Sequence, residues 1–239
     1  MYFAPLLCLL SQRLRSLILK TLQEVDRFIA VSNFVKSMIC EYLGISPENV
    51  DVIYTPLHNL PYIPREGSSP RITFTYIGAL EAHKGVMNLL KAFHIAVSKN
   101  KNIKLLLCGT GGMERRIRDY IHDVNLGKYV RILGKIDYTR LHTVYQQTDV
   151  VVTPSLWPEP FARVVIEALC AGRPVIANPV GGLKEQIINN FNGFYVNCYD
   201  VNELAKGILN VSKTPRDELL QMGFRARKDV LEILPKKDT

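Results

Sequence analysis

From Arg71 onward, short apolar runs alternate with longer amphipathic ones, and this alternation limits the fold more than any other feature of the chain. The runs Ile72–Ile77, Ile103–Cys108, Tyr129–Leu133, Val150–Thr153, Pro174–Ala177 and Gly193–Val196 have strand length, and most are rich in β-branched residues. Between them, Val86–Val97, Met113–Val124, Tyr138–Gln147, Phe161–Ala171 and Gly182–Ile188 read as helices. Strict alternation of buried-looking strands with helices predicts a parallel sheet covered on both faces, a doubly wound α/β domain. Ligands of such sheets sit beyond the carboxyl ends of the strands. The loops after Ile77, Cys108, Thr153 and Ala177 are therefore where function is sought.

The residues ahead of Arg71 follow a different pattern. Ser11–Leu22 reads as a helix, Arg27–Val31 as a strand, Asn33–Leu43 as a helix capped by Ser32, and Val50–Tyr54 as a second strand. A stretch holding Pro56, Pro61, Pro64, Gly67 and Pro70 then reads as a linker. Two strands and two helices are too few for a doubly wound domain of their own, so they read as the remnant of a second α/β domain. The expected organisation is a remnant and linker over residues 1–66, a ligand-binding domain over 67–213 and a closing helix within 214–239. Leu204–Ser212 and Pro215–Ile233 are the two last helices.

Composition removes several classes. Of the 239 residues, 47% are hydrophobic and 22% charged, which excludes a mainly disordered chain. No apolar run approaches the ~20 residues of a bilayer-spanning helix. The five cysteines are odd in number and form no CxxC pair. That predicts buried thiols in a reducing, cytoplasmic setting, with neither a disulfide frame nor a zinc site. The formal charge of +8 suits a phosphate-bearing ligand or an anionic membrane surface, and equally a solvated basic exterior. The Ser11–Leu22 helix, with Leu14, Leu17, Ile18 and Leu22 at helical spacing beside Arg13, Arg15 and Lys20, is the candidate for a peripheral contact with the inner membrane face. The ordinary alternative is an apolar stripe packed on protein. No nucleic-acid partner is expected.

Common catalytic motifs are absent. Gly109-Thr110-Gly111-Gly112 supplies two glycines of a dinucleotide fingerprint, but Glu114 stands where the third belongs. Neither GK pair continues into Ser or Thr, so there is no P-loop. No two aspartates lie two apart and no two histidines four apart, and no metal is expected.

The stretch from Asp149 to Glu185 carries the most information. A strand ends at Pro154-Ser155, a loop follows, and a helix is expected from near Phe161 to Gly172. Its N-terminus then points into the ligand crevice, where free amides and the helix dipole favour a phosphate. Glu159 and Glu167 flank that start. In a continuous helix they would lie ~12 Å apart, too far for a glycosidase pair, which needs ~5–5.5 Å or at most ~9.5 Å. Two such carboxylates suit the two ends of one extended ligand, a sugar and a ribose. The plain alternative makes Glu159 an exposed loop acid and Glu167 a surface acid paired with Arg163 at i,i+4.

EPFARVVIEALCAGRPVIANPVGG resembles the donor-site signature of the large family of retaining GT-B glycosyltransferases with the E-x7-E motif. YIGALEAHKGVMNLLKAF, KLLLCGTGG, VRILGKI and NGFYVN are similar to that family in order and spacing. VDRFIAVSNFVKSMICEYLGI followed by VDVIYTP resembles the end of its N-terminal acceptor domain. The resemblance implies a hexosyltransferase that uses a UDP- or GDP-sugar, retains anomeric configuration and needs no metal cofactor. Its acceptor would be a lipid, glycan or protein. Glu159 and Lys84 would be catalytic, Glu159 holding the donor sugar and Lys84 the diphosphate. Glu167 would bind the ribose, the amides of Phe161, Ala162, Arg163 and Val164 would lie near the phosphates, and Gly78 would end the first strand at the donor. The chain departs from the family at Ala79, where a second cation is usual, and at Ala162, where glycine is usual. It also lacks most of an acceptor domain, so either the chain is a fragment or another chain, a partner or a second copy, would supply that half. A non-catalytic subunit that binds nucleotide sugar is the alternative.

Overall fold

The structure, a computed structural model, describes residues 12–55, 61–66 and 69–233. The chain splits after Thr55 into two compact units.

In the smaller unit, helix α1 (Gln12–Gln23) precedes strand β1 (Phe28–Ala30), helix α2 (Asn33–Leu43) and strand β2 (Val50–Val52). Ser32 caps α2 as expected, its Oγ accepting from the Val35 amide at 3.1 Å. Gly44, at φ +69°, ends the helix in the left-handed region that glycine enters without a steric penalty. The strands pair in parallel with Phe28 opposite Val50. Strand β2 stops two residues short of the expected Tyr54 because β1 offers only three residues to pair with. Leu17 on α1 is 62% exposed. The side chains of Arg13, Leu14 and Arg15 lie outside the described residues, and no described helix is long and apolar enough to cross a membrane.

The larger unit carries strands β3 (Ile72–Ile77), β4 (Ile103–Cys108), β5 (Val130–Gly134), β6 (Val150–Thr153), β7 (Val175–Ala177) and β8 (Gly193–Tyr195). They form one parallel sheet in the order β5-β4-β3-β6-β7-β8. The chain builds outward from β3 to β5, then returns to place β6 on the other side of β3. The sheet therefore has its switch point between β3 and β6, where the carboxyl ends leave a crevice. Alternate strand residues enter two cores. Phe74, Tyr76, Leu105 and Leu107 pack beneath α3 (Val86–Lys99), α4 (Glu114–Asp123) and α8 (Val201–Ser212). Val151, Val175 and Ala177 pack beneath α5 (Leu141–Tyr145), α6 (Arg163–Cys170) and α9 (Arg216–Ile233). The fold is the expected doubly wound α/β sheet.

Three elements of the larger unit depart from their expected bounds for a side-chain reason. Helix α6 starts at Arg163, two residues after Phe161, because Gln186 binds Ala162 in an extended conformation. The Gln186 Oε1 accepts from the Ala162 amide at 3.1 Å, and its Nε2 donates to the Ala162 carbonyl at 3.1 Å. Helix α7 covers only Leu183–Gln186, because Asn192 Oδ1 draws the Ile188 amide out of the helix at 2.8 Å. Helix α8 begins at Val201, ahead of the expected Leu204, since Asp200 accepts from the amides of Asn202 and Glu203.

Ile63 and Arg65, expected within the remnant and linker, belong to the larger unit. Arg65 Nε and Arg216 Nε donate to Asp149 Oδ1 at 2.7 and 2.9 Å, and Asp149 Oδ2 accepts from the Thr73 amide at 2.8 Å. Arg173 is buried and donates to the carbonyls of Ile63, Tyr145, Ala171 and Gly172. Helix α9 is likewise part of this unit, burying Leu219, Met222, Ala226 and Val230.

Candidate functional site

Five of the predicted site residues, Gly78, Lys84, Glu159, Phe161 and Ala162, hang on loops that leave β3 and β6, at the switch point, and Arg163 opens the helix that follows. The loop after β3 is fixed first. Gly78 donates its amide to the Cys108 carbonyl at 2.9 Å, and the Tyr76 hydroxyl donates to the Ala79 carbonyl at 2.5 Å. Tyr76 is itself buried, and burial raises its pKa, helped by the carboxylates of Glu159 and Glu81. The Gly109–Gly112 loop closes against the same segment. Leu80 donates to the Thr110 carbonyl and Met113 to the Leu80 carbonyl, while Glu81 Oε1 accepts from the Gly112 amide at 2.7 Å. These glycines thus fasten two crevice loops together.

Lys84 follows in a short 3₁₀ turn that Gly85 ends at φ +72°. The turn brings its Nζ to Glu159, donating to Oε1 at 2.7 Å and to Oε2 at 3.0 Å. Glu159 is only 8% exposed and Glu167 only 7%. Neither is the surface acid of the plain alternative. Glu159 also accepts from Ser155 Oγ at 2.6 Å. Its backbone carbonyl accepts from the Gly182 amide at 2.7 Å, and Gly181 lies so close that a Cβ there would meet the Glu159 carbonyl oxygen at 2.6 Å. The two glycines of the NPVGG run serve as a flat backing for Glu159.

Glu167 lies on α6, with an Arg163 nitrogen 3.8 Å from its Oε1. Burial raises its pKa, and the Arg163 charge offsets part of that rise. Tyr145 lies near it, fully buried, with a hydroxyl that meets no partner among the described residues. The amides of Phe161, Ala162, Arg163 and Val164 are the four expected near the phosphates. That of Ala162 is already bonded to Gln186. Arg163 and Val164, as the first residues of α6, have no carbonyl of their own helix to donate to. Because the helix begins only at Arg163, the ~12 Å helical spacing does not describe the Glu159–Glu167 pair.

Ser155, Asn178, Gln186 and the Gly181-Gly182 backing are parts of the site that the sequence reading did not single out. Ser155 and Asn178 are both polar residues just past the carboxyl end of a buried strand, a position whose signal went unused. Cys108, Cys170 and Cys198 are buried, as expected, and burial pushes their thiols up to about 12, about 11 and about 12. They offer no nucleophile.

Comparison with known proteins bears on the family and the fold. The model of the family described as glycosyl transferases group 1 matches residues 64–229, and that of glycosyltransferase family 4 matches residues 2–58. An uncharacterised glycosyltransferase of Methanocaldococcus jannaschii is 29% identical over 228 residues, covering 87% of this chain and 56% of its own length. Glycogen synthase of Mycobacterium tuberculosis is 28% identical over 195 residues, covering 81% and 47%. HepE of Anabaena, solved with UDP and glucose, superposes with a TM-score of 0.75 at 22% identity, over 87% of this chain and 59% of that one. The chain spans about half the length of the curated relatives it matches. With the parallel sheet, its switch-point crevice and a match over most of the larger unit, the chain belongs to the glycosyl transferases group 1 family.

Proposed function

We propose that the larger unit binds a nucleoside diphosphate sugar and serves hexosyl transfer with retention to a lipid, glycan or protein acceptor. The observation that carries this reading is the meeting of Lys84, Glu159 and the start of α6 at the switch point. An ammonium, a buried carboxylate and free helix amides there match a diphosphate joined to a sugar. Glu159 takes hydroxyls of the sugar, Glu167 those of the ribose, and Lys84 with the Arg163 and Val164 amides takes the diphosphate. The HepE structure, which holds UDP and glucose in the same fold, supports this donor class.

In the reaction the bond from the anomeric carbon to the diphosphate oxygen breaks, and its electron pair leaves with the diphosphate. The acceptor hydroxyl oxygen forms the new bond to that carbon and gives up its proton to the departing diphosphate. Lys84 stabilises the charge that grows on the leaving group, so no metal is required. Retention rests on the resemblance of the segment around Glu159 and Glu167.

Calorimetry with UDP, GDP and ADP and their hexose conjugates tests the reading. Binding with Kd below about 1 mM is expected for one nucleotide series; the absence of heat for all of them would remove it.

A further inference from the structure

In the free protein Lys84 holds Glu159, yet the proposed function sends Lys84 to a diphosphate. Another donor must then keep the Glu159 carboxylate in place. Ser155 supplies it, with Oγ 2.6 Å from Glu159 Oε1. The Trp157 carbonyl oxygen is also within 3.2 Å of that hydroxyl. A hydroxyl has one proton to give, however, and the shorter contact to a charged oxygen is the stronger bond.

Ser155 is buried, and its backbone is fixed from outside its own loop. Asn178 Nδ2 donates to the Ser155 carbonyl at 2.8 Å, while Asn178 Oδ1 accepts from the Cys198 amide at 3.2 Å. Asn178 follows β7 and so ties the end of β6 to the loop beyond β8. Both ends of its amide are in use in a buried position, and rotating it would break two bonds that water cannot replace.

We propose that Ser155 is a positioning residue for sugar recognition. Its hydroxyl keeps the Glu159 carboxylate aimed at the donor sugar once Lys84 has turned to the diphosphate, and Asn178 holds Ser155 at that place. The proposal rests on Glu159 being the carboxylate that takes the sugar.

The test is calorimetry on the full chain with UDP against UDP-glucose and GDP against GDP-mannose, read as the ratio of the two dissociation constants in each series. A serine that only stabilised the fold would shift both members of a series together. Ser155→Ala is expected to weaken the sugar conjugate ~10-fold and the free diphosphate less than about twofold. Ser155→Thr, which keeps the hydroxyl, restores most of the loss, and Asn178→Ala gives the same split in smaller measure. Should Ser155→Ala fail to fold, Ser155→Cys carries the same expectation through its weaker donor. Equal weakening of both ligands, or no change in either, overturns the proposal. A wild-type chain that binds none of the four ligands overturns the donor reading beneath it instead.

Discussion

Gly85 stands so close to Pro154 that a Cβ built on it would meet the proline's carbonyl oxygen at 1.9 Å. With φ at +72° the position also lies in the left-handed region. The contact lays the Lys84 turn directly against the end of β6. Gly85→Ala therefore has both a clash with backbone and a conformational penalty. It should lower stability by about 2–4 kcal/mol and weaken nucleotide binding, as measured by urea denaturation and calorimetry.

The Lys84–Glu159 pair makes opposite predictions for the two partners. Glu159→Gln releases the ammonium, so free UDP or GDP should bind at least as tightly as before while the gain from an attached hexose disappears. Lys84→Ala leaves a buried carboxylate with Ser155 alone, and should cost about 1–3 kcal/mol of stability as well as diphosphate affinity. Denaturation curves and titrations of the two single variants and the double variant check this. The double variant should be less destabilised than the two single losses added together.

Glu167 gives a pH signature. Its folded pKa is raised above that of the unfolded chain, chiefly by burial. In the window between those two values the folded state binds more protons, so stability falls as pH rises through the ordinary glutamate range toward the raised folded value. Glu167→Gln should flatten that fall and leave the protein slightly more stable at neutral pH, even as it weakens every ribose nucleotide. Melting temperatures across roughly pH 4 to 7 measure it.

Arg173 should be intolerant of any change, for reasons unrelated to ligand. Its guanidinium is 1% exposed and is met by the carbonyls of Ile63, Tyr145, Ala171 and Gly172. Burial lowers its pKa, yet five donors in a planar fork still match these acceptors. Arg173→Lys cannot reach them all and should lose about 2–4 kcal/mol in chemical denaturation, with Arg173→Ala worse.

The sheet was legible because its central strands are buried on both faces and so read as short, mostly apolar runs. Ile72–Ile77, Ile103–Cys108 and Val150–Thr153 fall where that pattern places them. Helix α2 was legible through its cap, Ser32, which acts within a turn of the helix it opens. Lys84 became a candidate only through resemblance, since a lone lysine in a loop has no local signature, whereas Glu159 stood out by flanking the expected helix start with Glu167. What escaped were side chains acting on backbone far away in sequence. Gln186 sets where α6 begins by binding Ala162, and Asn178 fixes Ser155. An amide that will reach across a crevice looks, in sequence, like any other polar loop residue.

The pairing of Phe74 with Val150, which sets β6 beside β3, has a kinetic consequence. Strands β4 and β5 and their helices lie between these partners along the chain, so the two lips of the crevice meet only after a long loop has closed. No partly folded chain short of that step offers the complete crevice. A nucleotide bound there should therefore leave the refolding rate nearly unchanged and act almost wholly by slowing unfolding, lengthening the life of the folded chain as the unliganded fraction falls.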